Sequence, residues 1–387
     1  MPCCCCGNDD FKHLINFGKF PYINTAVKKS SKIKNYFKVL KYNYCKYCKH
    51  IIITPKPNFK KLDLLYKEFY NYNSPLIEKK IKPIRDIFFL NYFNKWIKNH
   101  KYKNNFYEIG CFDGYIIHKL KKTFKQTEGC DPSNGADIAK KNNLNVKKIF
   151  FNSKNLPKDK FDVVLSRHVI EHLSDPNKFI SNIDKITHEN STVVIETPNF
   201  DYYLKKNKTE CFSFQHISCF NIFSLQVLFK KHGFICFKKK VGQNIIAFFK
   251  KSKNQKIKID NKINLQNYNN YKTNILIQKD NFKKIFITKG NKFAVWGTGG
   301  YAITLIYLLL MKLENISFFI DTNKSNSYKK FIGINKNIRT IDYAKSHKSE
   351  YNGIIIASMY YSEIIPVIKK FKLAKKVIIF PGKIINL

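Results

Sequence analysis

The sequence predicts an α/β chain: a small cysteine-bearing lobe, a doubly wound parallel sheet in the middle, and a second α/β unit at the end. Three observations carry this. From Asn104 to Glu196, apolar strand-like runs alternate with helical stretches, the pattern of parallel strands joined by crossover helices. The alternation starts again at Phe293 as strand, glycine turn, helix and strand. Ahead of both stand two C-x-x-C pairs, Cys3 with Cys6 and Cys45 with Cys48.

A chain of 387 residues is too long for one small core and predicts two or three domains. With 44% hydrophobic and 15% aromatic residues, it has the material for real cores, which excludes wholesale disorder. The formal charge is +43, a value that by itself points to nucleic acid. Yet of 70 lysines and arginines only Arg85, Arg167 and Arg339 are arginine. Base-reading and phosphate-gripping surfaces favour the planar, bidentate guanidinium, so nucleic acid is not the expected partner. The abundance of Lys, Asn, Ile, Phe and Tyr fits A/T-rich coding, and the charge suits an anionic small molecule such as a nucleotide-linked compound. Met1–Gly7 lacks the apolar core of a secretory signal. Ala302–Met311 is shorter than the roughly 20 residues of a membrane span. A cytoplasmic location follows as the expectation, and there eleven cysteines favour metal ligation or plain burial over disulfides.

The cysteine lobe comes first. Each C-x-x-C pair turns tightly enough to aim two thiolates at one ion, and two pairs complete a tetrahedral zinc site. Cys4 and Cys5 blur the choice of ligands, but Gly7 directly after Cys6 favours the set Cys3, Cys6, Cys45 and Cys48. The long interval between the pairs must carry structure of its own.

The central elements follow in order. Strands are expected over Asn105–Gly110, Thr127–Asp131, Val146–Phe151, Phe161–Ser166 and Ser191–Glu196. Helices are expected over Tyr115–Lys125, Ser133–Asn143 and Asn177–Ile186, and Val241–Lys250 reads as a closing strand. Parallel sheets bind ligands beyond the carboxyl ends of their strands. The segment after the first strand is Glu108-Ile109-Gly110-Cys111-Phe112-Asp113-Gly114, whose glycines admit a ligand close to the backbone. Asp131 closes the second strand about 20 residues on, the position from which a carboxylate accepts hydrogen bonds from a ribose diol. The glycines do not form G-x-G-x-x-G, so a dinucleotide is not the expected occupant.

This order, E-x-G-x-x-x-G, then Gly129-Cys130-Asp131-Pro132-Ser133, then Phe161-Asp162-Val163-Val164-Leu165, resembles class I S-adenosylmethionine-dependent methyltransferases with their Rossmann-like core. More closely, the chain resembles the family that C-methylates nucleotide-linked deoxysugars. The likeness includes both C-x-x-C pairs, the tyrosine-rich Phe69–Ser74, His168-Val169-Ile170-Glu171-His172, Thr197-Pro198-Asn199, and Gln215-His216 with Phe220. The resemblance implies that Glu108, Gly110, Cys111 and Gly114 shape the methionine end of the cofactor site. It places Asp131 and Pro132 at the ribose and Arg167 and His168 over the cofactor. On the substrate side it implies His216, Gln215, His172, Tyr70 and Tyr72 as catalytic or lining residues. The family has Glu where this chain has Gln215, and a tyrosine near Ser213. Removing a carbon-bound proton needs a base. Gln215 cannot serve, whereas His216 can, and methylation on oxygen remains open. Without the resemblance, His168 and His172 read as packing residues, and Tyr70 and Tyr72 as core.

Lys251–Tyr271, dense in Lys and Asn, reads as a linker, and a helix is expected over Thr273–Lys284. Then come strand Phe293–Trp296, the turn Gly297-Thr298-Gly299-Gly300, helix Tyr301–Lys312 and strand Ile316–Ile320 ending at Asp321. This is a second Rossmann-like order, completed by strands Gly353–Ser358 and Lys376–Phe380 around a helix Glu363–Phe371. The turn at Gly297 either meets a nucleotide phosphate or serves only as a tight turn. The expected organisation is a zinc-binding lobe over 1–75, the cofactor-binding core over 76–250, a linker over 251–271 and a second α/β domain over 272–387. The expected function is methyl transfer from S-adenosylmethionine to a small polar acceptor, a nucleotide-linked sugar first. The alternatives are an RNA methyltransferase, against which the scarcity of arginine argues, and a cofactor-binding assembly protein without catalysis.

Overall fold

A computed structural model describes residues 2–23, 25–29, 36–63, 76, 84–252, 264–286, 291–307, 312–331, 333–358, 360–380 and 383–386. Tyr70 and Tyr72, with the segment Phe69–Ser74, lie outside the described residues. The chain divides into two compact units. One comprises Met1–His13, Asn43–Tyr202 and Gln215–Asn264; the other comprises Leu14–Tyr42, Tyr203–Phe214 and Leu265–Leu387.

Strands β1 (Phe11–Pro21), β2 (Val27–Lys28), β3 (Phe37–Cys45) and β4 (Ile51–Ile53) open the chain. Helix α1 (Ile84–Ile97) leads to β5 (Asn105–Ile109), α2 (Tyr115–Leu120), β6 (Gln126–Cys130), α3 (Gly135–Lys141), β7 (Val146–Lys147) and β8 (Phe161–Arg167). A single 3-10 turn at Ile170–His172, then α4 (Pro176–Lys185), β9 (Thr187–Pro198), α5 (Phe200–Lys205), β10 (Ser218–Cys219) and α6 (Ile222–Lys231) follow, and β11 (Phe234–Val241) and β12 (Asn244–Lys251) close the first unit.

The first unit holds a seven-stranded sheet in the order β11-β12-β9-β8-β5-β6-β7. Strands β5, β6, β7, β8 and β9 pair in parallel, as crossover helices between them require. Strand β12 is antiparallel to both β9 and β11. The sheet is therefore mixed, which corrects the expected all-parallel sheet. The reason is local: one closing strand was expected where the chain makes a hairpin, and two successive strands joined by a short turn at Gly242 can only run antiparallel. Strand β7 is also shorter than the expected Val146–Phe151, and α1 and α6 have no counterpart in the sequence reading.

Side chains alternate between the two faces of this sheet, as pleated strands dictate. Phe106, Val163, Leu165, Val194, Ile246 and Phe248 pack with Phe89 and Phe93 of α1 and Ile116 and Ile117 of α2. Tyr107, Ile109, Val164, Val193, Ile195, Ala247 and Phe249 pack with Ile180 and Ile183 of α4 and Leu225, Leu228 and Phe229 of α6. Both faces are thus covered, and the ligand-accessible edge is the row of loops after the strands. The strand order reverses between β5 and β8, so the switch point lies at their carboxyl ends. The same unit pairs β10 with β4.

In the second unit, α7 (Leu265–Phe286) begins inside the stretch read as a linker. Then come β13 (Phe293–Trp296), α8 (Gly300–Tyr307), β14 (Ile316–Ile320), β15 (Lys329–Lys330), β16 (Ile338–Arg339), α9 (Ile341–Ser346), β17 (Gly353–Ile356), α10 (Tyr361–Lys370), β18 (Lys376–Ile379) and β19 (Lys383–Asn386). The sheet order is β16-β14-β13-β17-β18-β19, and β19 is antiparallel to its neighbour. Strand β15 pairs with β2. Strands β13 and β14 match their expected bounds because short β-rich runs flanked by turn residues leave little choice of period. No helix among the described residues is long and apolar enough to cross a membrane.

Candidate functional site

The turn after β5 is built on left-handed backbone. Gly110 and Gly114 have φ of 74° and 76°, and Phe112 has φ 48°, a conformation that costs most non-glycine residues roughly 1–2 kcal/mol. A Cβ on Gly110 would stand 2.4 Å from Val169 Cγ2, and one on Gly114 would stand 2.6 Å from Leu144 Cδ1. The two glycines let the turn run close beneath the loops after β8 and α3. Asp131, at the end of β6, fastens the turn: Oδ2 accepts the Phe112 amide at 2.9 Å, and Oδ1 accepts the Ser133 amide at 2.8 Å and the Ser133 hydroxyl. An ionised carboxylate has about four acceptor positions, so capacity remains for further donors. Pro132 beside it is half-buried.

Glu108 is buried, and its Oε2 has no hydrogen-bond partner among the described residues. Burial pushes its carboxyl well above the ordinary carboxylate range, against the pull of Arg167. Cys111 is buried beside it, and burial raises its thiol well above the usual value. Burial likewise pushes Cys130 up to about 11. Both are inert thiols in that state.

Arg167 is held in two ion pairs. Its side chain does not lie free above the turn: Nε donates to Glu196 Oε2 at 2.6 Å and Nη1 donates to Asp86 Oδ1 at 2.7 Å. The guanidinium stacks over Phe89, 4.3 Å from the ring centroid. Arg167 thus ties α1 to the ends of β8 and β9, a structural task that the expected cofactor contact did not foresee. The sequence held no signal for Asp86, which rides on an unanticipated helix. Glu196 stood in view at the end of the fifth expected strand.

His168 follows with φ 53°, held by its amide bond to Glu196 O at 2.8 Å. Its Nδ1 lies 3.4 Å from Glu171 Oε1, and Asn244 Nδ2 is 3.5 Å from its Nε2. Glu171 is fully buried in the turn after β8. Its Oε2 accepts the Thr197 hydroxyl at 3.0 Å. Burial would raise its carboxyl, but His168, His172 and His216 outweigh that and hold it at about 2. His172 Nδ1 donates to Gln215 O at 2.8 Å, and burial lowers its basicity. The Ile217 amide donates to Glu171 O at 2.9 Å, drawing the segment with Gln215 and His216 onto the turn. The His172 and His216 rings stand 4.9 Å apart. The structure thus brings Glu108, Gly110, Cys111, Gly114 and Asp131 together, and separately His168, His172, Gln215 and His216 around Glu171.

The four expected cysteines also converge. Cys3 Sγ is 3.6 Å from Cys48 Sγ and Cys6 Sγ is 3.5 Å from Cys45 Sγ, and all four sulfurs lie within 4.8 Å of one another. A tetrahedron with metal–sulfur bonds of about 2.3 Å has nearly these edges. Each C-x-x-C turn is followed by a left-handed residue, Gly7 at φ 79° and Lys49 at φ 58°. The turns are closed by the bonds Gly7 N to Cys3 O and Lys49 N to Cys45 O. In the second unit, Gly297 has φ 130°, and a Cβ there would stand 2.3 Å from Ala357 O. That glycine is needed for close packing of backbone on backbone.

Residues 78–238 match the family model described as a methyltransferase domain. That match supports an enzyme with a methyltransferase domain over these residues. No curated protein matches the chain. Among solved structures, a protein from Pyrococcus horikoshii OT3 is 15% identical, with 48% of this chain and 100% of that chain covered and a TM-score of 0.39. An S-adenosylmethionine-dependent methyltransferase from Clostridium acetobutylicum is 14% identical over 50% of this chain and 98% of its own, with a TM-score of 0.36. A DhpI-SAM-HEP complex is 14% identical over 46% of this chain and 92% of its own, with a TM-score of 0.36.

Proposed function

We propose that this methyltransferase acts on a nucleotide-linked sugar, with the cofactor over the β5 turn and the acceptor facing Gln215 and His216. The observation that carries the reading is the Gly110–Gly114 turn fastened to Asp131, beside the buried carboxyl of Glu108, whose Oε2 lacks a partner among the described residues. These residues fit the cofactor: the glycines leave room at the backbone, Asp131 retains acceptor capacity for ribose hydroxyls, and Glu108 offers an orphaned oxygen toward a polar methionine end. When bound, S-adenosylmethionine supplies an electrophilic methyl on a sulfonium sulfur, which keeps the bond's electron pair as the methyl leaves. The chain's residues orient the partners and exclude water. The acceptor atom must lose a proton, and the imidazole of His216 is the group that takes it. Gln215 can only hydrogen-bond, and its carbonyl orients His172. The cysteine quartet holds a structural zinc, and residues 272–387 form a second Rossmann-like domain. Three domains, 1–75, 76–250 and 272–387, with a linker over 251–271, make up the proposed functional organisation.

The test is transfer of labelled methyl to a panel of nucleotide-linked sugars, with bulk RNA alongside. Label enters a sugar, and His216→Asn lowers kcat by about 100-fold or more, the range of general-base removal. Label entering RNA alone, or a His216→Asn enzyme as fast as the parent, overturns the assignment.

A further inference from the structure

We propose that Glu171, His172 and His216 form a site for a divalent transition-metal cation whose occupancy shuts off proton uptake by His216. The regulatory half rests on the role given to His216 above; the site itself does not. One carboxylate oxygen and one ring nitrogen from each histidine lie within 4.8 Å of one another. Bonds of about 2.0–2.2 Å to a central ion bring ligand atoms to about 3.3–3.6 Å of one another, so the three side chains close by up to roughly 1.5 Å on binding.

Three further features point to a ligand. Glu171 Oε1 belongs to a fully buried residue and has no well-formed hydrogen bond among the described residues, only ion-pair contacts with histidines. A buried acceptor left so is costly, and His168 Nδ1 at 3.4 Å and His172 Nε2 at 4.0 Å are its nearest basic neighbours. The other oxygen, Oε2, is fixed by the Thr197 hydroxyl at 3.0 Å, so Oε1 has a set direction. His172 donates Nδ1–H to the Gln215 carbonyl at 2.8 Å. A carbonyl cannot donate, so in the neutral ring Nε2 carries the lone pair. Ligating histidines characteristically fix their tautomer in this way, by giving the other N–H to a carbonyl. The histidines are half-buried while the carboxylate is buried, which leaves the ion a way in. Two imidazoles and one carboxylate suit zinc, cobalt, nickel or ferrous iron better than magnesium or calcium. A coordinated ring nitrogen cannot accept a proton, so a bound cation removes His216 from the acceptor's service.

The experiment is a titration with cobalt(II) of the full chain, purified with zinc in the cysteine quartet and then dialysed against a weak chelator until one zinc per chain remains, so that the histidine–carboxylate site is empty. Binding is read by d–d absorption, and S-adenosylmethionine binding is measured on the same sample. Saturable uptake of one equivalent without a sulfur-to-cobalt charge-transfer band is expected. His172→Asn keeps a donor toward Gln215 O but lacks Nε2, and Glu171→Gln keeps the Thr197 bond. Each weakens uptake by more than about 100-fold, beyond the cost of losing an outer-shell partner. No saturable uptake by the parent, uptake marked only by sulfur bands, or undiminished uptake in both variants overturns the site. Cobalt uptake with no S-adenosylmethionine binding would sink the functional reading and leave the site standing; the reverse result would do the opposite.

Discussion

Arg167→Met lowers the unfolding free energy by about 3–5 kcal/mol, the cost of breaking a buried ion pair from one side. The substitution strands Glu196, which is 1% exposed, and releases Asp86 on α1. Chemical denaturation across pH checks it and gives a sign. Burial pushes the Glu196 carboxyl up, but Arg167 outweighs that and holds it below its ordinary 4.5. A depressed folded pKa contributes stability that is present above the unfolded value and lost as pH falls through the folded one. In the parent, this carboxylate therefore adds an acid limb below about pH 4.5. In Arg167→Met the burial is opposed only by His168 and the Asn244 side chain, so the Glu196 carboxyl moves upward and the acid limb weakens. Adding Glu196→Gln to the variant recovers much of the loss. An Arg167→Met protein as stable as the parent, with the same acid limb, contradicts the buried-triad account.

Gly110→Ala has the second large effect. The left-handed backbone costs about 1–2 kcal/mol, and the new methyl meets Val169 Cγ2 at 2.4 Å, an overpacking that costs about 1–3 kcal/mol more. Val169 is β-branched and stiff at χ1, so it yields poorly. The double variant Gly110→Ala/Val169→Ala separates the terms: the clash is relieved and the backbone strain stays. Stability measured by denaturation recovers in part, to within about 1–2 kcal/mol of Val169→Ala alone. Full recovery shows that the φ at Gly110 carries no strain. No loss in the single variant shows that the turn does not approach the β8 loop as closely as described.

Local pattern made the central strands legible. β5, β6 and β8 fall close to their expected places because each is a short run bounded by turn or charged residues, whereas β9, Thr187–Pro198, extends past the expected Ser191–Glu196 at both ends. The C-x-x-C pairs were legible for a covalent reason: two residues between cysteines already dictate a tight turn. What escaped was set by tertiary packing. α1 shows no strong amphipathic stripe, with Ile84, Ile87 and Phe88 exposed and Phe89 and Phe93 buried, so its pattern gives little away. Of the β11–β12 hairpin the pattern offers only one closing strand, Val241–Lys250; β11 escapes because its lysine run, Lys238–Lys240, masks the strand period. At the site, glycines and Asp131 could be placed by spacing alone. The direction of the Arg167 side chain could not, because it is decided by Asp86, far away in sequence. The convergence of Glu171, His172 and His216 depends on the Ile217-to-Glu171 backbone bond, which no local pattern announces.

Calorimetric titration with S-adenosylmethionine, on the parent and on Asp131→Ala, tests the central claim most directly. The account predicts saturable binding by the parent and its loss in a folded Asp131→Ala protein, since that carboxylate both fastens the Gly110–Gly114 turn and offers the ribose its acceptors. Saturable binding that survives unchanged in Asp131→Ala, or no binding by the well-folded parent, contradicts the placement of the cofactor at the carboxyl ends of β5 and β6.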